Sequence, residues 1–181
     1  ERGGTGSHIL VDAVRGVSSS STPFIKSNSS GAEVSSNTSD FIKSLDSDGF
    51  TLGADSYFTD VNKNSSTYVS WNWKANGAGV ANTDGSITST VSANTTSGFS
   101  IVSYTGNGIG SATIGTGLGV APKVVMIKRR SGVDSFPVWL VGTTQYRVIL
   151  NLTNASDTAY PISTSSTIIT TPSTVDSHWN G

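Results

Sequence analysis

The sequence predicts an antiparallel all-β protein, and three observations carry the prediction. Tyr68, Ser70, Asn72 and Lys74 alternate with Val69, Trp71, Trp73 and Ala75, the period of a strand with one large apolar face. Two further runs of the same kind follow, Ser86–Ala93 and Phe99–Tyr104. Short turns rich in Gly, Asn, Ser and Thr separate these runs, and no helical period appears between them. The stretch Thr67–Arg130 therefore organises the chain.

Taken in order, Glu1–Ser7 is a polar lead-in, and Ile9, Val11 and Val14 mark a strand that ends at Arg15-Gly16. Ser18–Thr22 is a turn, Phe24–Lys26 a short strand, and Asn28–Thr38 a loop. Asp40–Leu45 and Phe50–Gly53 read as a hairpin closed by Asp46-Ser-Asp-Gly49. Asp55–Asn64 is a polar loop before the strand at Tyr68. Beyond the third alternating run, Gly106, Gly108 and Gly110 break the pattern and Lys123–Lys128 resumes it. Ser131–Ser135 is a turn, Pro137–Val141 an apolar run, and Tyr146–Leu152 alternates in part. Ile162, Ile168 and Ile169 lie in Ser/Thr-rich sequence.

Composition excludes several functions. Of 181 residues, 35% are hydrophobic and 13% charged, so neutral hydroxyls and amides keep the chain in solution. Low hydrophobicity usually goes with disorder when net charge is high. Here the net charge is -1, and four Trp, five Tyr and six Phe are enough to build a thin core. A chain this near neutrality has no long-range field for nucleic acid or an anionic membrane. Lys128-Arg-Arg130 is the one basic cluster, read as a solvated turn. No apolar run approaches the ~20 residues of a spanning helix. The chain opens at Glu1 with no signal-peptide pattern, as expected where an upstream segment was removed or where the chain is a piece of a longer one. With no cysteine, disulfides, thiolate metal sites and cysteine nucleophiles are all excluded. The Asn-x-Ser/Thr triplets at Asn28, Asn37, Asn64, Asn94, Asn151 and Asn154 are what chance gives in this composition.

The candidate sites are few. A glycosidase needs two close carboxylates, but the only glutamates are Glu1 and Glu33, both outside the strands. A Ser-His-acid set has only His8 and His178 to draw on, and no Gly-x-Ser-x-Gly elbow. Asp46 and Asp48 resemble the start of a calcium loop, but Phe50, Leu52 and Gly53 stand where ligands belong, so a tight turn is the better reading. The glycines between Gly106 and Gly119 lack the Lys-Ser/Thr of a phosphate loop and suit tight hairpin turns or close packing between chains. Trp71 and Trp73 are expected in the core, and Trp139 and Trp179 are the candidates for stacking a sugar. No enzyme activity, cofactor or metal is expected.

Weak internal similarity suggests a repeat. Glu1–Val11 can be laid on Arg129–Leu140, and Phe24–Glu33 on Val148–Asp157, in the same order and at a period of roughly 125 residues. The expected division is 1–75 as the end of one unit, 76–118 as a connecting segment, and 119–181 as the start of a second, truncated unit.

The runs Ser47–Asp55, Thr67–Gly106 and Gly117–Arg130, with Gly6–Gly16 and Leu150–Ser156, resemble a repeated module of marine, cyanophage-type virion structural and tail-fibre-like proteins. The resemblance implies a jelly-roll β-sandwich of the concanavalin or laminin-G type with no catalytic residues. The function expected is that of a structural or adhesive component at the virion surface, assembled from identical chains with other virion proteins. The alternative is a carbohydrate-binding module that recognises host-surface glycan. Related modules often carry His near the Gly-Leu-Gly strand, where this chain has Thr113–Gly119, so a His-based ligand there is absent.

Overall fold

The computed structural model describes residues 6–18, 20–36, 42–54 and 61–174. Within them the protein is all-β, with no helix and several small antiparallel sheets.

The central meander grows from the alternating sequence. Strands β6 (Val80–Asn82), β7 (Ser89–Asn94) and β8 (Phe99–Tyr104) lie side by side, in register from Ser89↔Tyr104 to Asn94↔Phe99. The Thr95–Gly98 turn closes because Gly98 takes a positive φ of 66° and the Asn94 side chain accepts the Ser97 N–H at 3.0 Å. The run expected from Ser86 enters this sheet only at Ser89. Ser86 and Ile87 turn instead to β9 (Thr113–Gly115), where Ile87 N–H donates to the Thr113 carbonyl at 3.0 Å and Ile87 bridges Ile114. Ile87, Ala112 and Ile114 form a buried cluster, with Val102 and Tyr104 packed on it.

At Gly85 the chain runs too close to β9 for a side chain. A Cβ there would sit 2.6 Å from the Thr113 carbonyl carbon and 2.8 Å from the Ile114 Cα, both backbone atoms that cannot swing away. Gly85→Ala is expected to cost about 2 kcal/mol by forcing the two segments apart. A urea midpoint indistinguishable from wild type would contradict this packing.

A second core lies between two further sheets. One contains β10 (Val124–Met126), β11 (Pro137–Leu140) and β12 (Tyr146–Ile149), in that order. The other contains β13 (Ser163–Thr164) and β14 (Ile168–Thr170), with β9 on the far side of β14. The Ile169↔Ile114 pairing joins strands from the two sides of residue 118 in one sheet. Val125, Trp139 and Ile162 are buried together, and Ile127, Val141 and Ile169 pack around them. The apolar run at Pro137 behaves as a strand buried on both faces, with residues 136–139 all inside.

The N-terminal strands are shorter than their apolar content suggests. β1 (Ile9–Leu10) pairs β2 (Thr22–Lys26), which pairs β3 (Val34–Ser36). The expected continuation through Val11 and Val14 is cut off by a local turn. The Asp12 carboxylate accepts the Arg15 backbone N–H at 2.8 Å, and Gly16 takes a φ of 91°. β4 (Ile42–Leu45) and β5 (Phe50–Leu52) form the expected hairpin, which the Thr22 hydroxyl ties down by donating to the Ile42 carbonyl at 2.9 Å.

One expectation is reversed. The strand with a core-facing Trp pair at 68–75 is not in any sheet, and its aromatics face outward: Trp71 is 72% exposed and Trp73 56%. The alternation is that of a strand, but among the described residues no neighbouring strand pairs with it, so the apolar face has nothing to bury against.

Candidate functional site

The exposed segment 66–76 is the main surface feature. Its ends are fixed. Near its start, Ser66 N–H donates to the Lys63 carbonyl at 3.2 Å, and the Tyr68 hydroxyl accepts the Lys63 N–H at 3.1 Å. At its end, the Lys74 carbonyl accepts the Ser97 hydroxyl at 3.0 Å, and Asn76 N–H donates to the Ser92 hydroxyl at 2.8 Å. The Trp73 ring stacks on Phe99 at 5.9 Å, so the segment is clamped to the β7–β8 turn. Between those anchors every residue from Thr67 to Lys74 is exposed.

The sequence-derived sugar-stacking residues do not meet here. Trp139 is fully buried at 0% exposure, with its indole N–H donating to the Tyr160 carbonyl at 3.1 Å. It has no ring face open to a ligand, because it fills the core between two sheets. Trp179 lies outside the described residues, as does His178. Asp46 and Asp48 sit in the β4–β5 turn. Asp46 N–H donates to the Gly49 carbonyl at 2.8 Å and its carboxylate accepts the Thr51 hydroxyl at 2.9 Å, the bonds of a tight turn. Among the described residues no three His, Asp or Glu side chains gather as a metal site would require.

Sequence reasoning missed the charged cluster that links the N-terminal sheet to the rest of the chain. Glu33 accepts from Arg15 at 3.1 Å and from both Arg130 Nε and Nη2 at 2.8 Å. Arg15, with only 6% of its side chain exposed, also bonds Asp12 and the Leu10 carbonyl. Burial alone would raise the Glu33 pKa, but the hydrogen bonds from Arg130 and Arg15 outweigh it and hold the carboxyl below its ordinary value. Lys128, read as part of a solvated turn, donates to the Ser30 carbonyl at 2.9 Å and the Asp134 carbonyl at 2.6 Å. The basic cluster is therefore divided among separate partners and forms no phosphate site. No local pattern announces an ion pair whose members stand 97 residues apart.

Burial pushes the Tyr104 phenol up to about 12, further above neutrality than its ordinary value. An open cavity of about 470 Å³ lies against β13 and β14, lined by Tyr160, Pro161, Ile162, Thr171 and neighbouring Ser and Thr. Among the described residues that lining offers hydroxyls and apolar surface, with no carboxylate, imidazole or cation to act as acid, base or electrophile. Within 106–119, Gly110, Gly115 and Gly117 serve close packing within the chain, and a Cβ on Gly117 would press on Val91 and Ala93 at 3.1 Å, whereas Gly108 and Gly119 have open space around them and take positive φ.

No curated protein matches the sequence, and no solved structure matches it. One family model, a domain of unknown function designated DUF7483, matches residues 1–180. By that match along nearly its whole length, the chain belongs to the DUF7483 family.

Proposed function

We propose that the chain is a non-catalytic structural or adhesive module at the surface of a phage particle, a fibre or decoration unit. It works by assembling with identical chains and with other virion proteins. The observation that carries this reading is the clamped, exposed Thr67–Lys74 segment with its two tryptophans. An exposed apolar segment held on a folded body suits assembly, because burying its aromatics against another chain removes apolar surface from water. The neutral Ser/Thr/Asn surface and the virion-module resemblance of Thr67–Gly106 point the same way. The finer architecture that accompanies this reading is an antiparallel β-sandwich of jelly-roll, concanavalin or laminin-G type, with a partial tandem repeat.

A second reading is favoured by the same exposure. Trp71 and Trp73, rather than the buried Trp139, would give a carbohydrate-binding module its stacking platform for host-surface glycan. The test of the first reading is immunogold electron microscopy of particles from a culture carrying the gene. Regular label on particle surfaces is the expected result, and label confined to cell debris would overturn it. Glycan-array binding by a monomer, lost in Trp71→Ala, would favour the second.

A further inference from the structure

Resting on the assembly reading, we infer that β10 is an edge through which two copies join, pairing antiparallel with the second copy's β10 about a two-fold axis at Val125. β10 is the outermost strand of its sheet, with β11 on one side and, among the described residues, no strand on the other. The direction of its remaining backbone groups follows from the bonds it makes. Val141 N–H donates to the Lys123 carbonyl at 2.7 Å and Ile127 N–H to the Pro137 carbonyl at 3.2 Å, so the backbone groups of 123, 125 and 127 turn toward β11. In an antiparallel ladder the residues between them turn the other way. The N–H and C=O of Val124 and Met126 therefore face outward, and both side chains are about half exposed, at 54% and 49%. Outward ladder groups on an apolar strand are the means by which one chain extends the sheet of another.

The open stretch has defined ends. On one side Pro122 has no N–H to give. On the other, beyond Lys128, the Arg130 carbonyl already accepts the Glu33 N–H at 2.9 Å. The pattern between those ends selects the partner. An axis at Val125 sets Val124 against the second copy's Met126, and Met126 against its Val124. These are the outward-facing residues, so each pair exchanges both of its N–H···O bonds. Lys123 falls opposite Ile127 and Lys128 opposite Pro122, so no like charges meet. A parallel pairing in register would set Lys123 against Lys123 and Lys128 against Lys128. Side chains agree with the antiparallel choice. Tyr146, Leu140 and Val124 form one cross-strand row, and Met126, Val138 and Val148 form the next. Across the seam the first row of one copy runs into the second row of the other, apolar throughout. On the opposite face Val125 meets Val125, which brings the two Trp139 clusters side by side. A ribbon this short is marginal alone, so the contact holds together with burial of the exposed Thr67–Lys74 segment in the same assembly. A two-fold contact of this kind uses the same patch on both copies.

The chain has no cysteine, so introduced thiols report the register. Val124→Cys and Met126→Cys would be oxidised in the full chain, separately and as an equal mixture, and run on a non-reducing gel beside sedimentation of the wild type. Opposed Cα atoms of a bonded pair lie about 5.5 Å apart, within disulfide reach. Like positions lie on the diagonal, about 8 Å apart and beyond that reach. The mixture is expected to give several-fold more covalent dimer than either variant by itself. Met126→Pro, whose lost N–H points away from β11, is expected to keep the wild-type circular dichroism spectrum and to weaken assembly. An assembled wild type whose mixture links no better than the single variants, or whose Val124→Cys links efficiently with itself, would overturn this interface while leaving assembly standing. So would undiminished assembly of Met126→Pro. The unlinked result is also the one given if the edge takes the strand of a different protein. A monomeric wild type would remove both the interface and the reading beneath it.

Discussion

Trp139→Ala is expected to destabilise the protein by about 3–5 kcal/mol, the range for losing a large aromatic from a closed core. The ring is wholly buried among Val125 and Ile162, with Ile127, Val141 and Ile169 behind them; Trp139 and Ile169 stand on the central strands of their sheets, each paired on both sides. Such walls relax little into the space left behind. The substitution also leaves the Tyr160 carbonyl without the indole N–H. That carbonyl belongs to a residue at a φ of 53°, a conformation a non-glycine residue keeps only when its surroundings enforce it. Since a domain's whole stability is about 5–15 kcal/mol, the variant is expected to be partly unfolded at 37 °C. Trp139→Phe, which keeps most of the volume, should lose much less. Urea denaturation followed by circular dichroism reads both, and a loss under about 1 kcal/mol for the alanine variant would show that this tryptophan is not a core residue.

Glu33→Ala is expected to cost about 3 kcal/mol at neutral pH, because it removes one member of a largely buried charged cluster and leaves the Arg15 guanidinium short of an acceptor. The same carboxylate joins β3 to the loop after β10, where Glu33 N–H also donates to the Arg130 carbonyl at 2.9 Å. Its effect has a signature in pH. Burial raises the Glu33 pKa, the Arg130 and Arg15 hydrogen bonds lower it further than burial raises it, and the folded value lies under the ordinary 4.5. A carboxyl with a depressed folded pKa contributes its full stability above the unfolded value and loses it as pH falls through the folded one. The gap between wild type and Glu33→Ala should therefore be widest near neutrality and shrink below about pH 4.5. A gap of constant size from pH 7 to pH 3 would mean that the carboxylate charge plays no part.

Much of the β architecture was legible in the sequence because its signal is local. Phe99–Tyr104 alternates, and it becomes β8; Asp46–Gly49 has turn chemistry, and it closes β4 onto β5. What could not be read locally was which aromatic goes inside. Trp71 and Trp73 alternate with Ser, Asn and Lys, a pattern that needs a second layer to be buried, and the described chain supplies none. Trp139 stands in the continuous run Pro137–Val141, which is the signature of a strand covered on both faces. Weighing run against alternation would have exchanged the two assignments. The Glu33–Arg130 pair and the β9–β14 pairing join residues far apart in sequence, and neither leaves a trace in spacing. The segment 67–74 thus reads as a core-facing strand in the sequence and lies exposed outside every sheet in the structure.

Self-assembly is the claim on which the functional reading stands. The direct measurement is sedimentation equilibrium of the intact 18.7 kDa chain across a range of concentrations. The account predicts a mass of at least twice the chain, falling back toward one chain when Trp71→Lys places a charge in the exposed apolar segment. A single species of one chain's mass at every concentration would contradict it.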